Sequence, residues 1–228
     1  MKGFWGETGG MRYVQVEPDD GGAGLPLIIA IHGRGADATD LSSLAMELSP
    51  DGYRGVLPQG PRPVPLAPGW IGWAWYELGE DQAETVVASR DLLLPFVDGT
   101  LARLSVPRER AVIAGFSQGA VMALHVGLTA QEPLGAIVAM SGHLPAAEQL
   151  TPLLADRRDR RVLVVHGTED QTLPIERGRR VREILEGAGL QPEYHEFRMG
   201  HEISQQSLAV VREFVQRMVP PGAARSAA

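Results

Sequence analysis

Residues 111–126 read AVIAGFSQGAVMALHV, and this stretch decides the fold. It holds a Gly-x-Ser-x-Gly pattern at Gly115, Ser117 and Gly119. Ala111, Val112, Ile113 and Ala114 are apolar in succession, the pattern of a strand covered on both faces. Gln118 to Val126 is rich in Ala, Met and Leu, which suits a helix. A serine on the sharp turn between them carries its hydroxyl above the end of the sheet. Such a turn strains the backbone and needs small neighbours, a need that Gly115 and Gly119 meet. Five letters recur by chance. The strand before them and the helix after them make Ser117 a candidate nucleophile.

Working outward, apolar runs alternate with helix-like stretches. Strands are expected at Leu25–Ile31, Gly55–Leu57, Gly135–Met140, Arg161–His166 and Glu193–Phe197. Helices are expected at Thr39–Leu48, capped by Asp37 or Thr39, and at Asp81–Leu104, bent or divided by Pro95. Two more are expected at Ile175–Gly187, ended by glycine, and Ile203–Met218. Arg12–Glu17 alternates and reads as an edge strand. Pro58–Gly72 has five prolines and reads as a loop. Strand and helix in alternation predict a mostly parallel central sheet with helices on both faces, in one domain spanning 1–228 without a large cap. The segment from about 220 to 228 is expected to fray. Sites in such sheets lie beyond the carboxyl ends of the strands.

Composition narrows the function. A net charge of −7 argues against a nucleic-acid surface. Lys2 is the only lysine. The absence of cysteine removes disulfides, thiolate metal sites and a cysteine nucleophile. No apolar run has the length of a signal-peptide core or a membrane span, so a cytoplasmic protein without a membrane span is expected.

A serine nucleophile needs a base, and the base an orienting acid. In strand–turn–helix serine hydrolases the chain order is Ser, Asp or Glu, then His. After Arg161–His166 comes GTEDQTLP, where Asp170 sits past the turn and Glu169 competes. After Glu193–Phe197 comes RMGHEIS, where His201 precedes the last helix. Of the other histidines, His166 reads as a brace for the acid loop, and His143 as a pocket residue after Ser141-Gly142. His195 lies inside a strand, and His125 in the helix after the nucleophile. A tetrahedral intermediate needs two N–H donors. Gln118, at a helix N-terminus, is one candidate, and Arg34, in the loop HGRGAD at 32–37, is the other. Gly33 and Gly35 let that backbone approach a substrate. Trp70, Trp73, Trp75 and Tyr76 cluster after a strand end. They are either buried core or a pocket wall; Trp73, Trp75 and Tyr76, with His143 and Leu173, are the candidate lining.

In order along the chain, IHGRGAD, LPQGP, WAWYEL, AGFSQGA, MSGHLP, VVHGTEDQTLP and MGHEIS resemble the phospholipase/carboxylesterase family of α/β-hydrolases. That family includes acyl-protein thioesterases and small bacterial carboxylesterases. The match runs from about Leu25 to Met218. The resemblance implies an α/β-hydrolase fold and hydrolysis of a small-molecule carboxylic ester with no cofactor and no metal. It implies Ser117, Asp170 and His201 as triad, with Arg34 and Gln118 as oxyanion donors, and it allows a homodimer. The chain departs from the family in three places. Arg34 stands where a large apolar residue is common. Trp75-Tyr76-Glu77 stands for a WFD-like segment. Glu202 replaces a glycine after the histidine, and an inward carboxylate there would raise the histidine pKa. The expected function is a serine carboxylesterase for small to medium esters. An acyl-protein or acyl-CoA thioesterase, or a lysophospholipase, is the alternative. A peptidase is more distant, as is a ligand-binding protein of the same fold.

Overall fold

The computed structural model describes residues 2–19, 22–48 and 52–222. Its elements in chain order are β1 (Lys2–Thr8), β2 (Met11–Glu17), β3 (Leu27–Ile31), α1 (Leu44–Leu48), β4 (Arg54–Pro58), β5 (Arg62–Ala67), β6 (Trp70–Ala74) and α2 (Gln82–Leu104). They continue with β7 (Ala111–Phe116), α3 (Gln118–Thr129), β8 (Ala136–Met140), α4 (Ala147–Leu154), β9 (Val162–Gly167), α5 (Ile175–Gly187), β10 (Glu193–Phe197) and α6 (Gln205–Met218).

Eight strands form one sheet in the order β1-β2-β4-β3-β7-β8-β9-β10. The six from β4 to β10 in that order are parallel to one another, while β2 is antiparallel to both β4 and β1. The alternation within each strand sorts side chains to two cores. Leu27, Ile29 and Ile31 pack with residues of α2, α3, α4 and α5 on one face. Ile28 and Ala30 pack with residues of α1 and α6 on the other. This is the α/β-hydrolase architecture, with helices on both faces. Parallel strands covered on both sides must be apolar throughout, and β3 and β8 are buried at every position.

The structure departs from the expected elements in five places. Pro58–Gly72 is not only loop: β5 and β6 form a two-stranded ribbon, with Pro63 opposite Trp73 and Pro65 opposite Ile71. Alternate residues point their N–H the same way, so the two donors missing at Pro63 and Pro65 share one edge of the ribbon. Arg12–Glu17 is not the edge strand, because β1 lies outside it. β1 is exposed along most of its length and has no buried face for a sequence pattern to reveal. The helix after β3 is confined to Leu44–Leu48. Asp37 Oδ1 accepts from the Thr39 N–H at 2.7 Å and the Thr39 hydroxyl at 2.6 Å, so Asp37 caps a turn rather than a helix. Helix α4 was not anticipated; α2 runs through Pro95 as one element. Of the segment expected to fray, residues 223–228 lie outside the described residues. Gly222 N–H bonds to the Gly52 carbonyl at 2.9 Å.

Candidate active site

Ser117 caps α3 at the end of β7 with φ 55° and ψ −118°. A non-glycine residue in such a region costs about 1–3 kcal/mol and is held there by its surroundings. One hydrogen bond and two close backbone approaches on either side hold it. The Ser117 N–H donates to the Met140 carbonyl of β8 at 3.0 Å. A Cβ on Gly115 would lie 2.1 Å from the Gly119 carbonyl oxygen, and one on Gly119 would lie 1.9 Å from that of Ile31. Both glycines are therefore required by close backbone approach, which brings α3 down onto β3 and β7.

The acid loop follows β9. Asp170 Oδ1 accepts from the backbone N–H of Thr172 at 2.9 Å and Leu173 at 2.8 Å. Asp170 Oδ2 lies 2.7 Å from His201 Nδ1, and His201 Nε2 lies 2.9 Å from Ser117 Oγ. An ionised carboxylate only accepts, so Nδ1–H donates to Asp170 and Nε2 faces the serine with its lone pair. The Asp170 side chain is fully buried and that of His201 is about one-fifth exposed. The two loops are stitched together. Thr168 N–H donates to the Phe197 carbonyl at 2.8 Å, and Glu169 N–H to that of Met199 at 3.1 Å. A Cβ on Gly167 would sit 2.3 Å from the Met199 oxygen. Glu169, the competing acid, points outward to Arg198 at 2.7 Å. His166 donates from Nε2 to the Leu173 carbonyl at 2.8 Å and lies 3.6 Å from Asp170 Oδ2, so it spans the acid loop. Glu202 is exposed, and among the described residues the only carboxylate ion-paired with His201 is Asp170.

The loop after β3 brings Gly33 against the serine: a Cβ there would be 3.3 Å from Ser117 Cβ. Arg34, the next residue, is exposed. His32 anchors this loop. Its Nε2 accepts from the Gly60 N–H at 3.0 Å and its Nδ1–H donates to the Gly33 carbonyl at 2.7 Å. Burial pushes the ring below the ordinary histidine range, so it stays neutral and keeps this donor–acceptor pattern. The β5–β6 ribbon clamps the same loop, with Gly35 N–H to the Trp73 carbonyl at 2.7 Å and Trp73 N–H to that of Ala36 at 2.9 Å.

The remaining candidates separate. Trp75 and Tyr76 are core residues, 0% and 1% exposed. Trp75 Nε1–H donates to the His32 carbonyl at 2.9 Å, so it supports the loop from beneath. Trp73 lines a cavity of about 220 Å³ with Met11, Gln59 and Leu92. His143 lines another of about 320 Å³ with Gln82, Leu144 and Arg177. Ser117 lines neither. Leu173 acts through its backbone, giving its N–H to Asp170 and its carbonyl to His166.

Two side-chain roles were not legible in the sequence, that of Phe116 and that of Gln118, expected there only as a backbone donor. Phe116 packs beside His201 with ring centroids 4.8 Å apart and the planes tilted by 43°. The Gln118 side chain accepts from the Trp75 N–H at 2.9 Å and donates to the Tyr76 carbonyl at 3.0 Å. Both flank Ser117, and an aromatic residue before the serine was the available signal. Among the described residues no cluster of three or more His, Cys, Asp or Glu is arranged to hold a metal. No helix among them is long and apolar enough to cross a membrane.

The family model for phospholipases and carboxylesterases matches residues 16–219. The chain belongs to the phospholipase/carboxylesterase family. It is a hydrolase of that family by this match. Acyl-protein thioesterase 1 of Gibberella zeae is 29% identical over 218 residues, covering 85% of this chain and 91% of that protein. Among solved structures, esterase PE8 is 28% identical with a TM-score of 0.76, covering 90% of this chain and 97% of the other. Acyl-protein thioesterase 2 of Zea mays has a TM-score of 0.72 at 24% identity, covering 91% and 99%, a likeness of fold alone.

Proposed function

We propose that this hydrolase is a serine carboxylesterase acting through an acyl-enzyme on Ser117. The observation that carries the reading is the unbroken relay from Asp170 through His201 to Ser117, at 2.7 and 2.9 Å. His201 Nε2 takes the hydroxyl proton as Ser117 Oγ attacks the ester carbonyl carbon. The carbonyl oxygen becomes anionic and is held by the N–H groups of Gln118 and Arg34. The first of these belongs to the opening turn of α3, where amides have no acceptor within the helix. The intermediate collapses, the carbon–oxygen bond to the alcohol breaks, and His201 returns the proton to the departing oxygen. Water then attacks the acyl-enzyme by the same route and releases the acid. Asp170 holds the imidazole in the required tautomer and stabilises its cation.

The relatives named acyl-protein thioesterase favour a second reading, in which the bond cleaved is a thioester. The machinery is the same, so only substrates distinguish them. The test is a p-nitrophenyl ester series of rising acyl length beside matched thioesters, with Ser117→Ala in parallel. Faster turnover of oxygen esters, lost in the variant, supports the first reading; a preference for thioesters supports the second. Near-parental rates from folded Ser117→Ala would end both.

A further inference from the structure

We propose that β1 pairs antiparallel with β1 of a second copy of this chain, joining two sheets edge to edge across a two-fold axis at Trp5. Pairing through β1 is independent of the chemistry at Ser117.

The two edges of the sheet differ. On β10, Glu193 is paired with Arg217, and Glu196 with Arg179 at 2.8 Å, so charged side chains line that edge. Charges of this kind guard an open edge against further pairing. On β1 the charged side chains, Lys2 and Glu7, lie toward the two ends, Lys2 paired with Glu17 of β2 at 3.6 Å, and the middle carries the large apolar side chains Phe4 and Trp5, 41% and 48% exposed. The strand contains no proline, and its pairing with β2 has no bulge.

The phase of its free hydrogen-bonding groups follows from the turn. Gly9 and Gly10 have φ of 57° and 76°, and they join Thr8 to Met11 as a two-residue hairpin turn. Such a turn makes Thr8 and Met11 a hydrogen-bonded pair, and such pairs alternate along the ladder. Gly6, Phe4 and Lys2 therefore bond to β2, while Gly3, Trp5 and Glu7 aim their N–H and C=O outward. The strand further in has the matching phase. Arg12, opposite Glu7, turns its carbonyl away from β1 to accept from Gln59 N–H at 2.9 Å.

Full overlap of two copies of Lys2–Thr8 places Trp5 opposite Trp5 of the second copy. Gly3 then faces Glu7 of that copy, and these are the residues with free backbone groups. Phe4 falls opposite Gly6 of the second copy. A Cβ on Gly6 would lie 2.5 Å from the Tyr13 ring, so that glycine is already roofed by an aromatic side chain. Phe4 of one copy packs beside Tyr13 of the other, and the two Trp5 side chains meet on the opposite face, each beside its own Arg12, 4.8 Å from the ring. Backbone phase, overlap and side-chain size agree on one register.

The chain has no cysteine, so single thiols report the register directly. Residues facing each other in a hydrogen-bonded antiparallel pair have Cα atoms about 5.5 Å apart, within disulfide range. In this register the two Phe4 positions are about 8 Å apart on the diagonal, beyond it. The expected results are a dimer of the parent chain by analytical ultracentrifugation, and rapid disulfide-linked dimer from Trp5→Cys but not from Phe4→Cys. Trp5→Pro removes an outward N–H and the ring beside Arg12 but no backbone bond to β2, and is expected to be a folded monomer. Trp5→Lys, which sets like charges across the axis, is expected to be monomeric too and covers the case where the proline variant fails to fold. A monomeric parent overturns the proposal. So does a dimer that persists in folded Trp5→Lys, or cross-linking through position 4 as fast as through position 5.

Discussion

Asp170→Asn is the sharpest test of the relay because the structure dictates which way the new amide must face. Asp170 Oδ1 is held by two backbone N–H groups, from Thr172 and Leu173. An asparagine keeps both bonds only if its carbonyl oxygen takes that place. Its NH₂ then takes the place of Oδ2, 2.7 Å from His201 Nδ1. It donates to Nδ1, and the imidazole proton moves to Nε2, facing Ser117. That tautomer cannot accept the serine proton. The flipped amide would restore the tautomer but set NH₂ against two N–H groups. Losing two buried bonds costs about 1–3 kcal/mol each, so the flipped form is disfavoured by roughly 2–6 kcal/mol. The middle of that range is close to a thousandfold, and loss of the carboxylate charge beside the developing imidazolium adds more. A total near ~10⁴ in kcat matches what this substitution does in other serine triads. The assay is kcat and KM on the best p-nitrophenyl ester, with ¹⁵N spectra of His201 to read the tautomer. KM and the unfolding midpoint should change little. A variant within tenfold of parental kcat, or one whose Nδ1 still carries the proton, would refute the reasoning.

Gln118→Ala removes two buried bonds and leaves the Trp75 N–H and Tyr76 carbonyl without partners, while the Gln118 backbone N–H survives. Urea unfolding should show a loss of about 2–5 kcal/mol, with residual activity; an unchanged midpoint would show that these bonds are dispensable. Acid should destabilise the fold through His125, which burial pushes down to about 4. The unfolded chain binds its proton near ~6.5, so this contribution is complete above that pH and is lost as pH falls toward 4. The expected loss is about 2–3 kcal/mol between pH 8 and 4.5, and His125→Gln should flatten that slope; an equal slope in the variant would place the acid sensitivity elsewhere.

The order of elements was legible because parallel strands buried on both faces must be apolar throughout, and such runs stand out. The positions of Ser117, Asp170 and His201 could be read as loop positions after three strands, since connection order and strand ends are local properties. Strands with no buried face or rich in proline, β1 and the β5–β6 ribbon, left no periodic signal. Buried strand runs and a serine between close-packed glycines belong to the sequence by itself. Its residues cannot say that Gln118 would reach Trp75 and Tyr76, that Phe116 would lie beside His201, or that Trp75 would be core rather than wall. Those contacts join residues distant along the chain or depend on side-chain direction, and only packing in three dimensions decides which neighbours a side chain meets.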